Sequence, residues 1–433
     1  MTDHPPTNTH VHLPPNFSAF GSVEEAVAAA RAEGVPAIGI SNFFDQRVYA
    51  RFAAAAERAG VTALFGLEFI TLDPELEAQG IRVNDPANPG RMYMTGKGID
   101  PFREKSPETA ALAAAVKRGN DERAEALVQA VAAWFLDHGV DWGRTAAAIA
   151  QDVADRAGVP VEWVSLQERH IARAVHETLV ASAAGAPSAP PAGSGSEAIL
   201  AASSGVPSGS PPGSGSEAVL AASPGVPSAS PPWGGSEGVL AALGLSPQAL
   251  ADPAGAQGTI RAKLLKAGRP AFVPEAPLSF AEAFAYVTQM GGIPCYPVVA
   301  DGCDPICPFE ESPGRLAAEI VRRGVHAAEL IPNRNRTAVV DDYVRAFEDA
   351  GLIVVAGTEH NTPDMVPLAP TAKDGPLSDL ARSAFWRGVA VVAAHQRLVG
   401  QGQPGYVDSA GARTSADIGD LAEFGARIIG GRA

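Results

Sequence analysis

The sequence predicts an α/β protein whose repeated strand–helix units close a parallel sheet or barrel, and two observations carry that expectation. Short apolar runs alternate with Ala-rich amphipathic stretches from residue 8 to about 104, and the same alternation resumes near 258. Between them the composition changes twice, first to charged, Ala-rich helical sequence and then to Pro/Ser/Gly/Ala-rich repeats. The two α/β parts therefore read as one discontinuous barrel, residues 1–104 and 258–433, which a chain of 433 residues can accommodate together with an insertion.

In order, residues 9–13 read as a strand, 23–33 as an Ala-rich helix, 37–41 as a strand, 49–59 as a helix and 62–70 as a strand. Residues 105–182 form a helical insertion, with pieces at 104–137, 142–156 and 160–182. Residues 183–257 carry a tandem repeat whose equivalent glutamates, Glu197, Glu217 and Glu237, are spaced by 20. Each copy couples a helix-prone Glu-Ala-(Ile/Val)-Leu-Ala-Ala segment to a Pro/Ser/Gly connector. It is too poor in large apolar residues to stack as a solenoid, so a flexible linker is expected. Beyond it, 260–267 and 280–290 read as helices and 271–273 as an extended segment; helices at 316–323 and 339–350 alternate with strands at 327–331 and 353–356. The apolar stretch 385–395 reads as a buried helix packed on the barrel.

A formal charge of −15 and a pI near 5.1 argue against a nucleic-acid binder that works through a basic face, because phosphate contacts need clustered Lys and Arg. A nucleotide or short oligonucleotide remains admissible as a substrate. No apolar stretch approaches the roughly 20 residues that span a bilayer, and Met1–Pro6 lacks the features of a secretory signal, so a cytoplasmic protein with no membrane partner is expected. Cys295, Cys303 and Cys307, odd in number and close together, fit free thiols in a reducing compartment. Oligomeric state has no signal in the sequence.

The chemistry-bearing residues collect at strand ends. His10 and His12 are i and i+2 in an extended segment, so both imidazoles leave the same face and can reach one ion. Asn42, Glu68, Tyr296, Glu329 and the Glu359-His360 pair end the later strands. A lone carboxylate at such a position is most often a helix cap or a solvated group, but parallel barrels present their functional residues at this rim.

These segments resemble the PHP (polymerase and histidinol phosphatase) family of metal-dependent phosphoesterases. Its Asp-x-His-x-His motif falls on Asn8-Thr9-His10-Val11-His12, its Ile-Thr-Asp-His on Ile40-Ser41-Asn42-Phe43, its Gly-x-Glu on Gly66-Leu67-Glu68, and its Gly-Ser-Asp-x-His on Gly357-Thr358-Glu359-His360-Asn361. The TrpH-like subgroup, which cleaves phosphate esters of nucleotides and short oligonucleotides, is similar in an Arg-x-His-Ile-Ala segment (Arg169-His170-Ile171-Ala172). It is also similar around Leu265–Pro274 and Gly291–Pro297. The resemblance implies a distorted (β/α)7-type barrel, and the repeats lie outside it.

The chain departs from that pattern where Phe43, Tyr296 and Tyr93 stand in place of histidines, and where Asn8 and Asn42 stand in place of aspartates. Phenylalanine cannot ligate a metal, and tyrosine or asparagine ligates hard cations poorly. What survives implies a reduced site: His10, His12, Glu68 and Glu359 as ligands of one divalent ion, Zn, Mn or Fe, with Glu359 and His360 as the catalytic pair, His360 serving as general acid/base or last ligand. Arg334, Arg336, Lys97 and Arg269 are the candidate cations for binding a small-molecule substrate through a phosphate or carboxylate. The expectation is a metal-dependent hydrolase, phosphoesterase-like. Two alternatives stand beside it, a PHP-derived binding protein without catalysis and a one-metal enzyme acting on a sugar-type substrate.

Overall fold

The computed structural model describes residues 4–184 and 236–431. Its strands are β1 (Asn8–Val11), β2 (Ala37–Ile40), β3 (Thr62–Leu72), β4 (Arg91–Lys97), β5 (Leu278–Ser279), β6 (Ile293–Val298), β7 (Ala327–Leu330) and β8 (Ile353–Ala356). They form one sheet in the order β1-β2-β3-β4-β6-β7-β8, with the two-residue β5 beside β3. The chain beyond β8 returns to β1. A parallel bridge joins Val11 to Glu359, and the backbone N–H groups of Thr358 and Glu359 donate to the carbonyl of His10, so seven strands make a nearly closed, distorted barrel. Every residue of β1, β2, β7 and β8 is buried; β2 and β8 are the continuous apolar runs of strands covered on both faces, whereas β1 and β7 carry buried polar groups into the site.

One strand breaks the parallel pattern that the sequence alternation predicts. β4 runs antiparallel to both β3 and β6. Between β3 and β4 the chain has only the five-residue helix α3 (Pro74–Ala78), too short to cross a sheet face, so the chain turns back and pairs as a hairpin partner.

Flanking helices start and stop where local chemistry allows. α1 (Val23–Ala32) is capped by the Ser22 side chain, and α2 (Tyr49–Ala59) ends at Gly60 in the left-handed conformation. α9 (Phe280–Gln289), α10 (Pro313–Arg322), α11 (Thr337–Asp349), α12 (Asp379–Gly400) and α13 (Ile418–Ile429) follow in the second half of the barrel. α12 buries Val389, Val391, Val392 and His395 against the sheet, as the apolar stretch at 385–395 predicts.

The helical insertion has its own apolar core. α4 (Pro107–Asp137), α5 (Ala146–Ala157), α6 (Glu168–Ala183), α7 (Ser236–Leu243) and α8 (Pro253–Ile260) pack Leu127, Val131, Phe135, Ile149, Ile171, Val175, Leu243 and Ile260 together. Here the structure differs from the linker expected over 183–257. The third repeat copy forms α7 and buries Val239, Leu240 and Leu243. Leu243 stands where the earlier copies have Ser203 and Ser223, and Leu245 and Leu250 follow it, so this copy has the large apolar residues to be held. The copies at Glu197 and Glu217 lie outside the described residues. One further difference follows: the expected helix 260–267 is the end of α8 plus a π-helical turn, Arg261–Leu265. Among the described residues no helix is long and apolar enough to cross a membrane.

Polar contacts fix the insertion over one end of the barrel. The Gln167 amide donates to Asn16 Oδ1 and accepts from the Phe17 N–H, while Asn16 Oδ1 also accepts from the Phe43 N–H, so α6 is tied to the loops after β1 and β2.

Candidate metal centre and cavity

His10 is the third residue of β1 and His12 lies just past the strand's end, and their Nε2 atoms approach to 3.3 Å. Glu68 projects from the middle of β3, with Oε2 3.3 Å from His12 Nε2 and 3.9 Å from His10 Nε2. All three side chains are buried, and their ligand atoms lie within 4.8 Å of one another. The close approach of His10 to the chain after β8 needs glycine: a Cβ on Gly357 would lie 2.3 Å from the His10 Cβ.

Beneath the histidines lies a buried charged network. Glu329, from β7, takes His10 Nδ1 at 2.9 Å and the Lys97 Nζ at 2.7 Å, and the Thr9 hydroxyl donates to it at 3.0 Å. A carboxylate on Nδ1 leaves the Nε2 lone pair facing His12 and Glu68, which is the arrangement of a metal-ligating histidine and its orienting acid. Burial alone would hold the His10 imidazole neutral, but Glu329 and then Glu68 outweigh it and raise its pKa above the ordinary value. Burial also opposes ionisation of Glu329, yet Lys97 and His10 pull its carboxyl down to about 2.

Glu359 does not join the cluster. Its carboxylate forms a two-pronged ion pair with Arg334, 2.7 and 2.5 Å, and accepts from the Asn361 amide. Burial works against the charge, but Arg334 holds the Glu359 carboxyl down at about 2. Glu359 and His360 both have left-handed backbones, φ +63° and +53°, a local strain of the kind that surrounding structure must enforce. His360 turns away from the cluster. Its Nδ1 meets the Thr358 hydroxyl, its Nε2 meets the Val366 carbonyl, and its ring stacks on Phe20.

A cavity of about 830 Å³ opens above the cluster, between the barrel rim and the insertion. His12, Glu68 and Glu359 lie at its base, Phe17, Phe43, Phe44 and Tyr93 form an aromatic wall, and Arg169, Arg261, Lys266 and Arg334 face it. Arg261 and Lys266 are engaged by Glu168. Arg169 has no ion pair or hydrogen bond among the described residues. Burial, with Arg261 and Arg334 close by, lowers its pKa to about 10, so an anion in the cavity would relieve it. Burial likewise raises the Tyr93 hydroxyl well above its ordinary pKa and keeps it a hydrogen-bond donor.

The structure thus brings together His10, His12, Glu68, Glu359 and Arg334. It places the other substrate-binding candidates elsewhere. Lys97 is buried under the site with Nζ on the Thr9 carbonyl, the Ser41 hydroxyl and Glu329. Arg336 is paired with Asp301 and largely exposed, and Arg269 is exposed outside the cavity wall. Of the departures from the family pattern, Phe43 and Tyr93 line the cavity, whereas Tyr296 donates its hydroxyl to Glu310 away from it. Asn8 and Asn42 hold backbone: Asn8 accepts from His10 N–H and donates to the Leu368 carbonyl, and Asn42 clasps both backbone groups of Leu13. Sequence reasoning noted Glu329 at a strand end and Arg169 within a matched segment without giving either a role in the site. Lys266 likewise lies within the matched segment 265–274 without a role assigned to it, and Arg261 carries no sequence signal.

This fold has solved counterparts. One is a candidate metal-dependent phosphoesterase from Bifidobacterium adolescentis, 15% identical, with a TM-score of 0.51 over 89% of this chain and 98% of that one. Another is an amidohydrolase from Chromobacterium violaceum with bound sulfate and no metal, 15% identical, with a TM-score of 0.50 over 84% of this chain and 93% of that one. The likeness is one of fold, and it agrees with the barrel that the motifs imply. No family model matches the chain, and no curated relative matches it.

Proposed function

We propose that this chain is a metal-dependent hydrolase of small phosphate esters that holds one divalent ion on His10, His12 and Glu68. The convergence of those three ligand atoms at the base of the cavity carries the reading. The donor set fits: two imidazole nitrogens and a carboxylate suit Zn, Mn or Fe, and Glu329 presents His10 in the ligating tautomer. An ion there supplies Lewis acidity and lowers the pKa of water.

The chain's own groups do the rest. Arg169 and Arg334 bind the anionic group through N–H donors, and the Tyr93 hydroxyl adds a third donor. Phe17, Phe43 and Phe44 take the apolar body of the substrate and exclude water from the reacting end. Sulfate bound by the Chromobacterium protein is in keeping with an oxyanion in such a barrel. The deciding experiment is metal analysis of the purified chain joined to a phosphoesterase panel with added Mn. Expected are about one ion per chain, lost in His10→Ala/His12→Ala, and ester cleavage that follows the metal. A loaded metal with no cleavage would turn the reading to a binding protein.

A further inference from the structure

Next to Arg334 the fold brings two thiols into contact. Cys303 and Cys307 lie in the loop after β6, with Sγ atoms 3.7 Å apart. Cys307 is buried and Cys303 partly exposed, while Cys295 is enclosed within β6. The same loop carries Val299 and Gly302, which face the cavity.

We propose that Cys303 and Cys307 are a dithiol site that small disulfides such as glutathione disulfide oxidise to an intramolecular disulfide, and that ring closure displaces the Val299–Gly302 wall of the cavity against Arg334. Burial, with Cys303 beside it, pushes the Cys307 thiol up to about 12, so the accessible Cys303 makes the first attack. Its thiolate displaces one glutathione thiolate and forms a mixed disulfide. Cys307 gives up its proton and attacks the Cys303 sulfur, displacing the second glutathione thiolate. Two protein thiols have lost two protons and two electrons, and glutathione disulfide has gained them to become two glutathiones.

Geometry decides which thiol moves. A disulfide bond is ~2.05 Å long, so the 3.7 Å contact must close substantially. Cys307 is anchored: its carbonyl accepts from the Glu310 N–H at 2.8 Å, and the Glu310 carboxylate is held by the Tyr296 hydroxyl and the Ala300 N–H. Cys303 has only its Sγ contact of 3.6 Å to the Ala300 carbonyl to give up. Ala300 already sits in the left-handed region at φ +46°, and the Gly302 N–H donates to the Val299 carbonyl at 2.8 Å, so a pull on Cys303 is passed to both. Gly302 lies close against Arg334, where a Cβ on the glycine would be 3.3 Å from the Arg334 Cβ. Asp301 ties the same wall to the next turn through Asn335 at 3.0 Å and Arg336 at 2.8 Å.

The test uses the full chain equilibrated in glutathione buffers of graded ratio, acid-quenched, alkylated and mapped by mass spectrometry, with amide exchange on the reduced and oxidised forms. Expected is a peptide lighter by two hydrogens with Cys303 and Cys307 both closed to alkylation and Cys295 still a free thiol. Cys307→Ser should stop at a stable glutathione adduct on Cys303, and Cys303→Ser should stay unmodified. Exchange should change at 299–303 and at 332–336 together. Accumulation of the glutathione adduct in the unsubstituted chain, or two thiols still open in glutathione disulfide alone, overturns the dithiol site. Ring closure with unchanged exchange at 332–336 overturns the coupling to Arg334.

Discussion

Replacing Lys97 by methionine removes the permanent cation that, together with the His10 imidazole, neutralises the buried Glu329 carboxylate. The side chains of Lys97 and Glu329 are 2% and 0% exposed, and Nζ donates to Glu329, the Thr9 carbonyl and the Ser41 hydroxyl at 2.7, 3.1 and 3.1 Å. Methionine keeps most of the stem volume, so the loss is electrostatic rather than a cavity. Stranding one charge of a buried pair costs about 3–5 kcal/mol. Lys97→Met should therefore lower unfolding stability by that amount in urea titrations, and Lys97→Met/Glu329→Gln should recover at least half of it, because neither charge then remains. The sign with pH follows from Glu329. Its carboxyl is held down to about 2, so the pair stabilises the fold above the ordinary carboxyl pKa and loses that contribution as pH falls toward 2. Lys97→Met should flatten this acid limb. A loss below about 1 kcal/mol, or a double variant as unstable as the two single losses added, would refute the reasoning.

Three further outcomes are expected. Burial pushes the Glu310 carboxyl up to about 7 in spite of the Ala300 N–H and the Tyr296 hydroxyl, so the folded chain binds that proton more tightly than the unfolded one. Stability should fall by on the order of 3 kcal/mol as pH rises from the ordinary carboxyl value to 7, and Glu310→Gln should remove this slope in urea midpoints taken across that range. Gly425→Ala would put a Cβ 1.7 Å from the Ala390 carbonyl oxygen, where α13 crosses α12; overpacking should cost about 1–3 kcal/mol, and thermal unfolding equal to the parent chain would show that the helices can part freely. Arg169→Met should weaken inorganic phosphate binding roughly 10-fold or more by calorimetry without changing metal content, since a charged hydrogen bond is worth about 1.5–3 kcal/mol. Unchanged phosphate affinity would take Arg169 out of the site.

The strand–helix alternation was legible wherever an element buries one face and carries its own stop. α2 runs over residues 49–59 and β8 over 353–356 as the apolar periodicity implies, with Gly60 closing α2 in the left-handed conformation. β4 was not legible as a strand or as antiparallel, because its direction comes from the shortness of the link that precedes it and not from its own residues. α7 was hidden for a different reason: its sequence nearly repeats that of the two upstream copies, and only Leu243 and the leucines after it separate it from them. In the site, His10 and His12 could be paired from their i, i+2 spacing in a strand, and Glu68 could be read from its strand position and the Gly-x-Glu resemblance. The acids that orient or neutralise could not be sorted. Glu329 and Glu359 both end strands, and the difference between them is the cation each meets, Lys97 with His10 for one and Arg334 for the other.

That difference bears on what the departures from the family pattern mean. A buried polar group deprived of its partner costs free energy, so a site that had simply lost its ligands would strand donors and carboxylates. Here three of the five departing positions, Asn42, Asn8 and Tyr296, have a satisfied alternative, and so does Glu359. Asn42 holds both backbone groups of Leu13, Asn8 holds the His10 N–H and the Leu368 carbonyl, Tyr296 donates to Glu310, and Glu359 is met by both prongs of Arg334. The Glu359–Arg334 pair also changes the electrostatics of the cavity floor. A guanidinium stands beside Glu359 on the cavity wall, fixed in direction by the two-pronged pair. An anion entering the cavity then meets a positive charge that needs no ion to be loaded, next to a three-ligand centre that does. On this arrangement anion binding should persist when metal is stripped, whereas any hydrolysis should follow the metal, and measuring both on one preparation separates the two parts of the site.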